Sequence, residues 1–334
     1  MFSASGPVVA SKTLDAINVA LQRDRGNLFR RYLRETIPLA EDAYREDTDP
    51  FRTHLGASLI GRDCTRELFY TFRWATHPDY IPEFHDGQCS GPPAQNCPAC
   101  VERRGRMQRL YNRGHLEEAR FVALLKMIGC EVWQHDSAGK QFRVSYHDGH
   151  YGGSLDSVLR GCPDDPSQPL LGEFKTHKAD SFKKLWKEGV RSSKFPHFVQ
   201  MQTYMGGYQL RRALYLAVNK DTDDLYAELV DFDPEQFAKY LERAKIIIGV
   251  NPAEPPKKLG ESPGWFSCKF CDQRLVCHGG VPPHRNCRTC IHSRPGEGGI
   301  WYCTHPENDW AYGDNPPLDK SAQLAACPKY DRAF

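Results

Sequence analysis

The pattern of apolar and polar positions divides the chain into a helical start, an alternating α/β middle and a loop-rich end. Each stretch is assigned from its periodicity, its length and the glycines and prolines that bound it. The predicted helices cover residues 1–50, 58–76, 115–128, 180–189, 197–211 and 234–249. The predicted strands cover residues 130–135, 141–147, 151–160 and 169–176, followed by a hairpin of 213–220 and 225–232.

This order of elements predicts an α/β or α+β fold with a mixed central sheet. A proline- and glycine-rich linker over 251–264 separates the core from a cysteine-rich end. We expect a helical N-terminal region over 1–110, a core over 111–250, a linker with a cysteine-rich segment over 251–280, and a four-cysteine tail over 281–334.

Composition narrows the class of protein without deciding its function. The 334 residues are 40% hydrophobic and 26% charged, which indicates a folded chain, and the net charge is only +2. No apolar run is long enough to span a membrane, and the first thirty residues lack the layout of a signal peptide. We therefore expect a cytoplasmic protein with no membrane partner.

Thirteen cysteines in a reducing compartment favour metal binding over disulfides, and seven of them fall within the last 67 residues. One partition groups Cys268, Cys271 and Cys277 with a distant fourth ligand, for which Cys64 is available. It leaves a separate four-thiolate site, most simply for zinc, at Cys287, Cys290, Cys303 and Cys327. The alternative is a zinc ribbon of Cys268/Cys271 with Cys287/Cys290, which leaves three cysteines without a metal site. We prefer the first partition because it uses every cysteine of the tail.

A further zinc site is predicted in the loop FHDGQCSGPPAQNCPAC, where a surface loop with free thiols is the alternative. Little apolar content is present to order this loop without a metal. Its candidate ligands are His85, Cys89, Cys97 and Cys100.

Charged residues interrupt two of the predicted strands. Asp156 lies within YGGSLDSVLRG, and Glu173 and Lys175 lie two apart in LLGEFKT, so both point to one face while Phe174 points into the core. Unpaired charge is costly inside a sheet. Two carboxylates beside a lysine form a site suited to Mg²⁺ or Mn²⁺, which can activate water and stabilise a leaving oxygen.

Two helices add candidate residues to this site. His115 opens the long helix, and Glu118 shares its face three residues on, so either residue is a possible further metal ligand. Gln200 and Tyr204 are four apart on a later helix, where the pair can hydrogen-bond a phosphate or orient the lysine.

The order His115, Asp156, Glu173-Phe174-Lys175 and Gln200-x-x-x-Tyr204 resembles the PD-(D/E)xK nuclease superfamily, and within it the RecB-type and Cas4-like exonucleases, including phage-encoded relatives. The resemblance covers roughly residues 58–280 and implies an αβββαβ core. It also implies that Asp156 and Glu173 bind the divalent metal, aided by His115 and the Phe174 main-chain carbonyl. Lys175 would position the attacking water or stabilise the transition state, and Gln200 and Tyr204 would match a downstream motif.

Many Cas4-like and AddB-like members also hold a [4Fe–4S] cluster, with one cysteine before the core and three after it. The cysteines that match this layout are Cys64, Cys268, Cys271 and Cys277. The resemblance thus implies an iron–sulfur cluster at this group, and a single-strand annealing or recombination protein as a possible partner. Three features depart from the family: Cys64 is followed by Thr65 rather than proline, and neither the four-cysteine tail nor the cysteine-containing loop over 85–100 is part of the common pattern.

Local charge favours DNA as the substrate. Residues 174–194 carry seven Lys and Arg against two acids, and residues 101–120 carry six Arg against three acids. A solvated helix face is the simpler interpretation of each. The candidate DNA-binding residues are Lys178, Lys183, Lys184, Lys187 and Arg191, with base stacking on Phe182, Trp186 or Phe195 as a further possibility.

We therefore predict a divalent-metal-dependent DNA exonuclease that acts in DNA recombination, repair or phage DNA processing. Two alternatives stay open. The first is a structure-specific or restriction-like endonuclease that uses the same residues. The second is a non-catalytic DNA-binding or zinc adaptor protein.

Overall fold

The computed structural model describes residues 7–46, 49–77, 98–306 and 317–334, apart from the side chains of residues 98–100, 103 and 104. The α-helices are α1 (Ser11–Arg23), α2 (Asn27–Thr36), α3 (Thr65–Phe72), α4 (Pro98–Met127), α5 (Ala179–Ser193), α6 (Phe195–Tyr208), α7 (Pro234–Gly249), α8 (Phe266–Lys269), α9 (Arg274–His278) and α10 (Lys320–Ala325). The strands are β1 (Val8–Val9), β2 (Leu55–Gly56), β3 (Glu131–Trp133), β4 (Arg143–Tyr146), β5 (Tyr151–Ser154), β6 (Ser157–Arg160), β7 (Leu170–His177), β8 (Arg212–Asn219), β9 (Leu225–Asp231), β10 (Ser293–Pro295), β11 (Trp301–Cys303) and β12 (Pro317–Leu318).

The chain forms two compact units, each assembled from separate stretches of sequence. The first unit comprises the described residues of Met1–Thr48, Gly105–Val144 and Gly153–Ala238. The second unit comprises those of Asp49–Arg104, Ser145–Gly152 and Lys239–Phe334.

The first unit is built on a six-stranded mixed sheet in the order β1-β9-β8-β7-β6-β3. Its central pair, β7 and β8, runs parallel, and the remaining neighbours are antiparallel. Both central strands are buried over most of their length, as expected of strands covered on both faces. The predicted α/β class with a mixed sheet is therefore confirmed.

One face of this sheet packs a hydrophobic core against α4. Phe174 on β7 stacks on Phe121 of α4 with ring centroids 5.3 Å apart, and Cys130 and Cys162 are buried in the same core. The strict alternation of a strand sends Phe174 into this core while its neighbours Glu173 and Lys175 face the other way. The predicted orientation of the three residues is confirmed.

Several predicted boundaries differ from the structure. The predicted helix over 58–76 is limited to α3, which begins after Cys64, because the Cys64 sulfur accepts a hydrogen bond from Glu67 N as an N-cap does. Helix α4 begins at Pro98 rather than residue 115, because the Arg- and Glu-rich stretch after Pro98 has helix propensity without apolar periodicity. By contrast, α7 and the β8–β9 hairpin are confirmed.

The prediction of one strand over 151–160 is wrong, since β5 and β6 are separate strands with Leu155 and Asp156 between them. The Leu155 N–H donates to the Phe142 carbonyl at 2.9 Å instead of continuing a strand ladder. Asp156 therefore lies in a bend beside the sheet and not in the middle of a strand.

The second unit contains the antiparallel sheet β10-β11-β12 and the short helices around the cysteines. Its strand β2 pairs in parallel with β5, with Leu55 opposite Tyr151 and Gly56 opposite Gly152. Over the described residues, none of the helices has both the length and the apolar character needed to cross a membrane.

Candidate active site and cysteine clusters

Two carboxylates and one lysine converge on the polar face of the central sheet in the first unit. Glu173 lies at the middle of β7 with no exposed surface, and its carboxylate forms an ion pair with the Lys175 ammonium. Asp156 is held by the Phe174 N–H, which donates to its Oδ2 at 2.7 Å, and the same oxygen lies 3.8 Å from Lys175 Nζ. The structure therefore brings together the three charged residues that the sequence analysis names.

The backbone explains why Asp156 meets Glu173. Ser157 pairs with Gly172 in the antiparallel β6–β7 ladder, so the residue before Ser157 lies beside the residue after Gly172. A β-carbon at Gly172 would lie 2.1 Å from Ser157 Oγ, so the two strands approach closely only because this position is glycine.

The charged groups of the site shift one another's pKa values. Burial raises the pKa of the Glu173 carboxyl; Lys175 opposes the rise and Asp156 adds to it. Burial acts to lower the pKa of Lys175, but the Glu173 and Asp156 carboxylates outweigh it and raise that pKa. Lys175 is therefore a firmly protonated cation among carboxylates that repel each other.

Glu118 on α4 belongs to the same group of charges. Burial and then the nearby Asp156 raise the pKa of Glu118 to about 8, while Lys175 opposes the rise. Glu118 thus responds to the charges of Asp156 and Lys175, and its side chain lines the same pocket as His115.

His115 lies one helical turn before Glu118, and both residues line an open pocket of about 1160 Å³. The His115 Nδ1 atom lies 2.9 Å from the Asp42 carbonyl oxygen, which identifies Nδ1 as the protonated nitrogen and leaves Nε2 as an acceptor. A backbone carbonyl that fixes the imidazole in this way is the usual outer-shell partner of a metal-binding histidine.

Gln200 and Tyr204 face the site from α6, as predicted. The Gln200 side-chain amide donates to the Tyr204 hydroxyl at 3.2 Å, and both side chains are buried. Burial, and next the Glu173 carboxylate, raise the pKa of Tyr204, so its phenol stays protonated at neutral pH. A β-carbon at Gly153 would lie 2.6 Å from this hydroxyl, which shows how closely the chain before Asp156 approaches Tyr204.

Sequence reasoning missed a polar network on the same sheet face beyond Lys175. The Tyr215 hydroxyl lies 2.8 Å from His177 Nε2 and 2.9 Å from His197 Nδ1. Lys194 Nζ donates to Ser181 Oγ at 2.6 Å, and Ser181 Oγ lies 3.2 Å from His177 Nδ1. The period of two that joins Glu173 to Lys175 continues to His177, so the pattern contained a signal for this residue.

The candidate DNA-binding side chains lie on α5 and at its start. Lys178, Lys183, Lys184 and Lys187 are exposed, whereas Arg191 forms an ion pair of 3.0 Å with Asp233. Of the aromatic residues proposed to stack on bases, Trp186 is half exposed. Phe182 is buried, which leaves it as a core residue and not as a base-stacking one; Phe195 is partly buried and stacks on Phe198.

In the second unit, the predicted iron–sulfur cysteines line one pocket of about 350 Å³; they are Cys64, Cys268, Cys271 and Cys277. Cys271 N donates to the Cys268 carbonyl at 3.1 Å, which closes the tight turn expected of a Cys-x-x-Cys pair. Backbone N–H groups of Glu67 and Gln273 each donate, at 3.4 Å, to the sulfurs of Cys64 and Cys271. Such donors stabilise thiolates.

The four cysteines of the tail line a separate pocket of about 300 Å³, together with two histidines. These residues are Cys287, Cys290, Cys303, Cys327, His292 and His305. The structure therefore separates the cysteines as the first partition predicts and not as a single zinc ribbon.

The third predicted zinc site lies outside the described residues, since its ligands would be His85, Cys89, Cys97 and the side chain of Cys100. Within the described ranges, the ten cysteines form no disulfide. No three His, Cys, Asp or Glu side chains of these ranges are already arranged to hold a metal ion. Each ligand set named above therefore stays a prediction.

Comparison with protein-family models and with curated proteins gives no match. Among solved structures, the crystal structure of SSO0001 is similar over 77% of this chain and 98% of its own, at 15% identity and a TM-score of 0.35. LHK-Exo in complex with dAMP is similar over 58% of this chain and 86% of its own, at 12% identity and a TM-score of 0.32. Likeness at this level carries no argument about the site, which therefore depends on its own geometry.

Proposed function

We propose that this chain is a divalent-metal-dependent DNA exonuclease with a PD-(D/E)xK core in its first unit. The observation that carries the proposal is the convergence of Asp156 and Glu173 on a single lysine, Lys175. With both carboxylates ionised, the site holds more negative than positive charge, and the raised pKa values of Glu173 and the nearby Glu118 reflect their burial and then the cost of that excess. A divalent cation would relieve that excess, and oxygen ligands of this kind suit Mg²⁺ or Mn²⁺.

The chemistry of the donor set suits such an ion. Among the described residues, Glu173 Oε2 is buried and has no hydrogen-bond partner, so one ligand position is available at the centre of the site. Asp156 is held in place by its bond from Phe174 N, and the Phe174 carbonyl and His115 Nε2 are the neutral donors that would complete the set. A bound Mg²⁺ or Mn²⁺ would polarise the scissile phosphate and lower the pKa of a coordinated water.

Lys175 acts as a fixed positive charge in this mechanism. Its raised pKa keeps it protonated, so it cannot serve as a general base. Held by Glu173 and Asp156, it can donate a hydrogen bond to the attacking water and stabilise the extra negative charge on the phosphate in the transition state. Tyr204, protonated and fixed by Gln200, is a neutral donor on the same side of the site.

The exposed lysines of α5 support DNA as the substrate, because they supply positive charge for the phosphate backbone, although Lys184 already lies 3.8 Å from the Glu188 carboxylate. Arg191 contributes less to this surface, since Asp233 already neutralises it. The order of the motifs along the chain favours the exonuclease over the endonuclease. We place the activity in the cytoplasm, where thiols such as those of this chain stay reduced.

We further propose that the group of Cys64, Cys268, Cys271 and Cys277 holds a structural [4Fe–4S] cluster. The support is that all four line one pocket and that backbone N–H groups already point at two of the sulfurs. Within the second unit, the cluster would join α3 to the turn before α9. These two elements are about two hundred residues apart in the sequence.

Timed digestion of linear and covalently closed circular DNA with Mg²⁺ or Mn²⁺ tests the main proposal. Lys175→Met removes the charge but keeps most of the volume, and Lys12→Met, at an exposed position of α1, is the matched control. We expect the wild type and Lys12→Met to degrade linear DNA only, and Lys175→Met to bind DNA without degrading it.

Each other outcome has a definite meaning. Cutting of closed circles that Lys175→Met abolishes would replace the exonuclease with the endonuclease. Binding of DNA without loss of either substrate, by protein that retains its iron and binds Mn²⁺ in calorimetry, would favour the non-catalytic adaptor. Cleavage by Lys175→Met at the wild-type rate would remove this site from the reaction.

A further inference from the structure

The cysteines of the tail are brought together by three separate elements of the second unit. Cys287 and Cys290 are joined by a tight turn in which Cys290 N donates to the Cys287 carbonyl at 2.9 Å. Cys303 lies on β11, directly opposite Ser293 of the neighbouring β10. Cys327 follows α10, and its carbonyl accepts from Arg285 at 2.7 Å. A turn that carries two cysteines beside a hairpin is the arrangement that structural zinc sites use.

Two buried arginines beside this group form the second, independent observation. Arg73 and Arg288 are each only 1% exposed. Within the part of the chain that the structure describes, neither forms an ion pair with a carboxylate. A buried guanidinium stays charged, and a buried charge requires a counter-charge or a complete set of hydrogen bonds.

Arg288 has hydrogen bonds but no negative charge. Its guanidinium donates to the Gln323 side-chain oxygen at 2.7 Å and to the carbonyls of Phe72 and Thr53 at 3.0 Å. Its centre also lies 3.7 Å from the ring centroid of Trp74. These partners are neutral, so they orient the cation without balancing it.

Arg73 is less well satisfied. Its Nη1 donates to the Arg288 carbonyl at 2.8 Å, while Nε and Nη2 have no partner among the described residues. Because Arg288 lies within the turn between Cys287 and Cys290, the bond from Arg73 Nη1 to its carbonyl places the Arg73 guanidinium beside this turn.

We propose that Cys287, Cys290, Cys303 and Cys327 hold a structural Zn²⁺, and that the buried Arg73 supplies a counter-charge to this centre. Zn²⁺ with four thiolates is a dianion, which a buried guanidinium beside the cysteine turn would stabilise. His292 and His305 line the same pocket, and the metal analysis below distinguishes them from the cysteines as ligands.

The centre would fix the end of the chain to the β10–β11 hairpin. Arg332 already pairs with Cys290, and Ala333 N donates to the Thr289 carbonyl at 3.0 Å, so the last residues lie beside the cysteine turn. Arg288 lies between Cys287 and Cys290 and inserts between the rings of Trp74 and Trp301. Zinc loss would therefore loosen the turn that holds Arg288 in this aromatic site.

Metal analysis of the full chain tests the ligand set. We expect zinc in addition to iron, and loss of one zinc per chain but not the iron in Cys303→Ser and Cys327→Ser. Cys268→Ser should show the reverse, and His292→Ala and His305→Ala should keep their zinc. Zinc at the wild-type level in both tail cysteine variants would overturn the proposal, as would loss of zinc in either histidine variant.

Chelator competition for zinc tests the counter-charge role of Arg73. Arg73→Met should lower the affinity for zinc by at least tenfold, the scale expected for an outer-shell partner, whereas Arg73→Lys should restore most of it. Arg160→Met, at an exposed position of β6, is the matched control. An unchanged affinity in Arg73→Met would refute the counter-charge role.

A measurement on the wild type keeps the test decisive if these variants do not fold. Stepwise release of zinc by a mercurial thiol reagent counts the protecting thiols, and Co²⁺ in place of zinc reports the number of thiolate ligands through its charge-transfer absorption. Four thiols per released zinc would support the proposal, and two or three would overturn it.

Discussion

A single methyl group at Gly172 should disturb the candidate active site without touching any of its charged residues. The added β-carbon would lie 2.1 Å from Ser157 Oγ and 3.0 Å from Leu159 Cδ2, so β6 and β7 would have to separate. Overpacking of a buried position costs about 1–3 kcal/mol. Because Ser157 follows Asp156 directly, the same shift would move the Asp156 carboxylate away from Phe174 N, and cleavage should fall with stability.

A substitution at Ser157 tests whether the clash with its hydroxyl causes the loss of stability in Gly172→Ala. Its hydroxyl is buried and has no hydrogen-bond partner among the described residues, so Ser157→Ala alone should be neutral or slightly stabilising. It also removes the atom that the new methyl group would meet first. The double variant Gly172→Ala/Ser157→Ala should therefore recover part of the lost stability, with a coupling energy of about 0.5–3 kcal/mol.

Urea unfolding and Mg²⁺-dependent digestion of linear DNA measure the two effects in the same four proteins. Gly114→Ala is the matched control: a β-carbon there meets nothing within 4 Å on the surface of α4, so it should stabilise the helix by about 0.5–1 kcal/mol. Gly172→Ala protein with wild-type stability and activity would refute the reasoning, as would a double variant no more stable than Gly172→Ala.

Three further predictions concern individual side chains. The pKa of Glu118 is raised from 4.5 to about 8, so the folded state keeps a proton that the unfolded chain loses; metal-free protein should lose stability as pH rises through that window, and Glu118→Gln should flatten the loss in melting experiments with chelator. Tyr204→Phe should cost about 0.5–1.5 kcal/mol in urea unfolding, since it removes the acceptor of Gln200, and a larger loss in cleavage than in DNA binding would assign the hydroxyl to the reaction. Cys268→Ser should lose the visible absorption of the cluster and the soluble yield of protein; stable, iron-free protein would contradict a structural cluster.

Local sequence patterns were sufficient for the parts of the fold with strong periodicity. The helix Pro234–Gly249 and the β8–β9 hairpin follow from spacing and turn residues alone, and the period of two correctly separates Phe174 from Glu173 and Lys175. Each of these features depends on residues close together in the chain, which is the information that periodicity contains.

The errors arose where tertiary contacts override the local pattern. The stretch YGGSLDSVLR reads as one strand, but the bond from Phe174 N to Asp156 and the bond from Leu155 N to Phe142 break it in two. The importance of Glu118 was underestimated for the same reason, since its raised pKa results from burial and from Asp156, which is far away in sequence. These contacts join residues that are distant in sequence, so the local pattern of apolar and polar positions does not indicate them.

On the polar face of β7 and β8, the pKa of each side chain depends on its burial and on its charged neighbours. These pKa values determine which groups can respond to pH. Glu173 and its neighbouring carboxylate keep Lys175 charged. Burial lowers the pKa of His177 to about 4, with Lys194 and then Lys175 adding to the effect, and it likewise lowers the pKa of His197, so both rings are neutral at physiological pH. The pKa of Tyr215 is raised mainly by burial, so its phenol stays protonated between them. At neutral pH the protonation states of Lys175 and the aromatic groups are thus fixed, and the carboxyls with raised pKa values, Glu173 and Glu118, are the groups whose protonation changes. If the site binds a divalent cation as proposed, protons and that cation compete for the same oxygens, and the pH dependence of the site is then a dependence of metal binding.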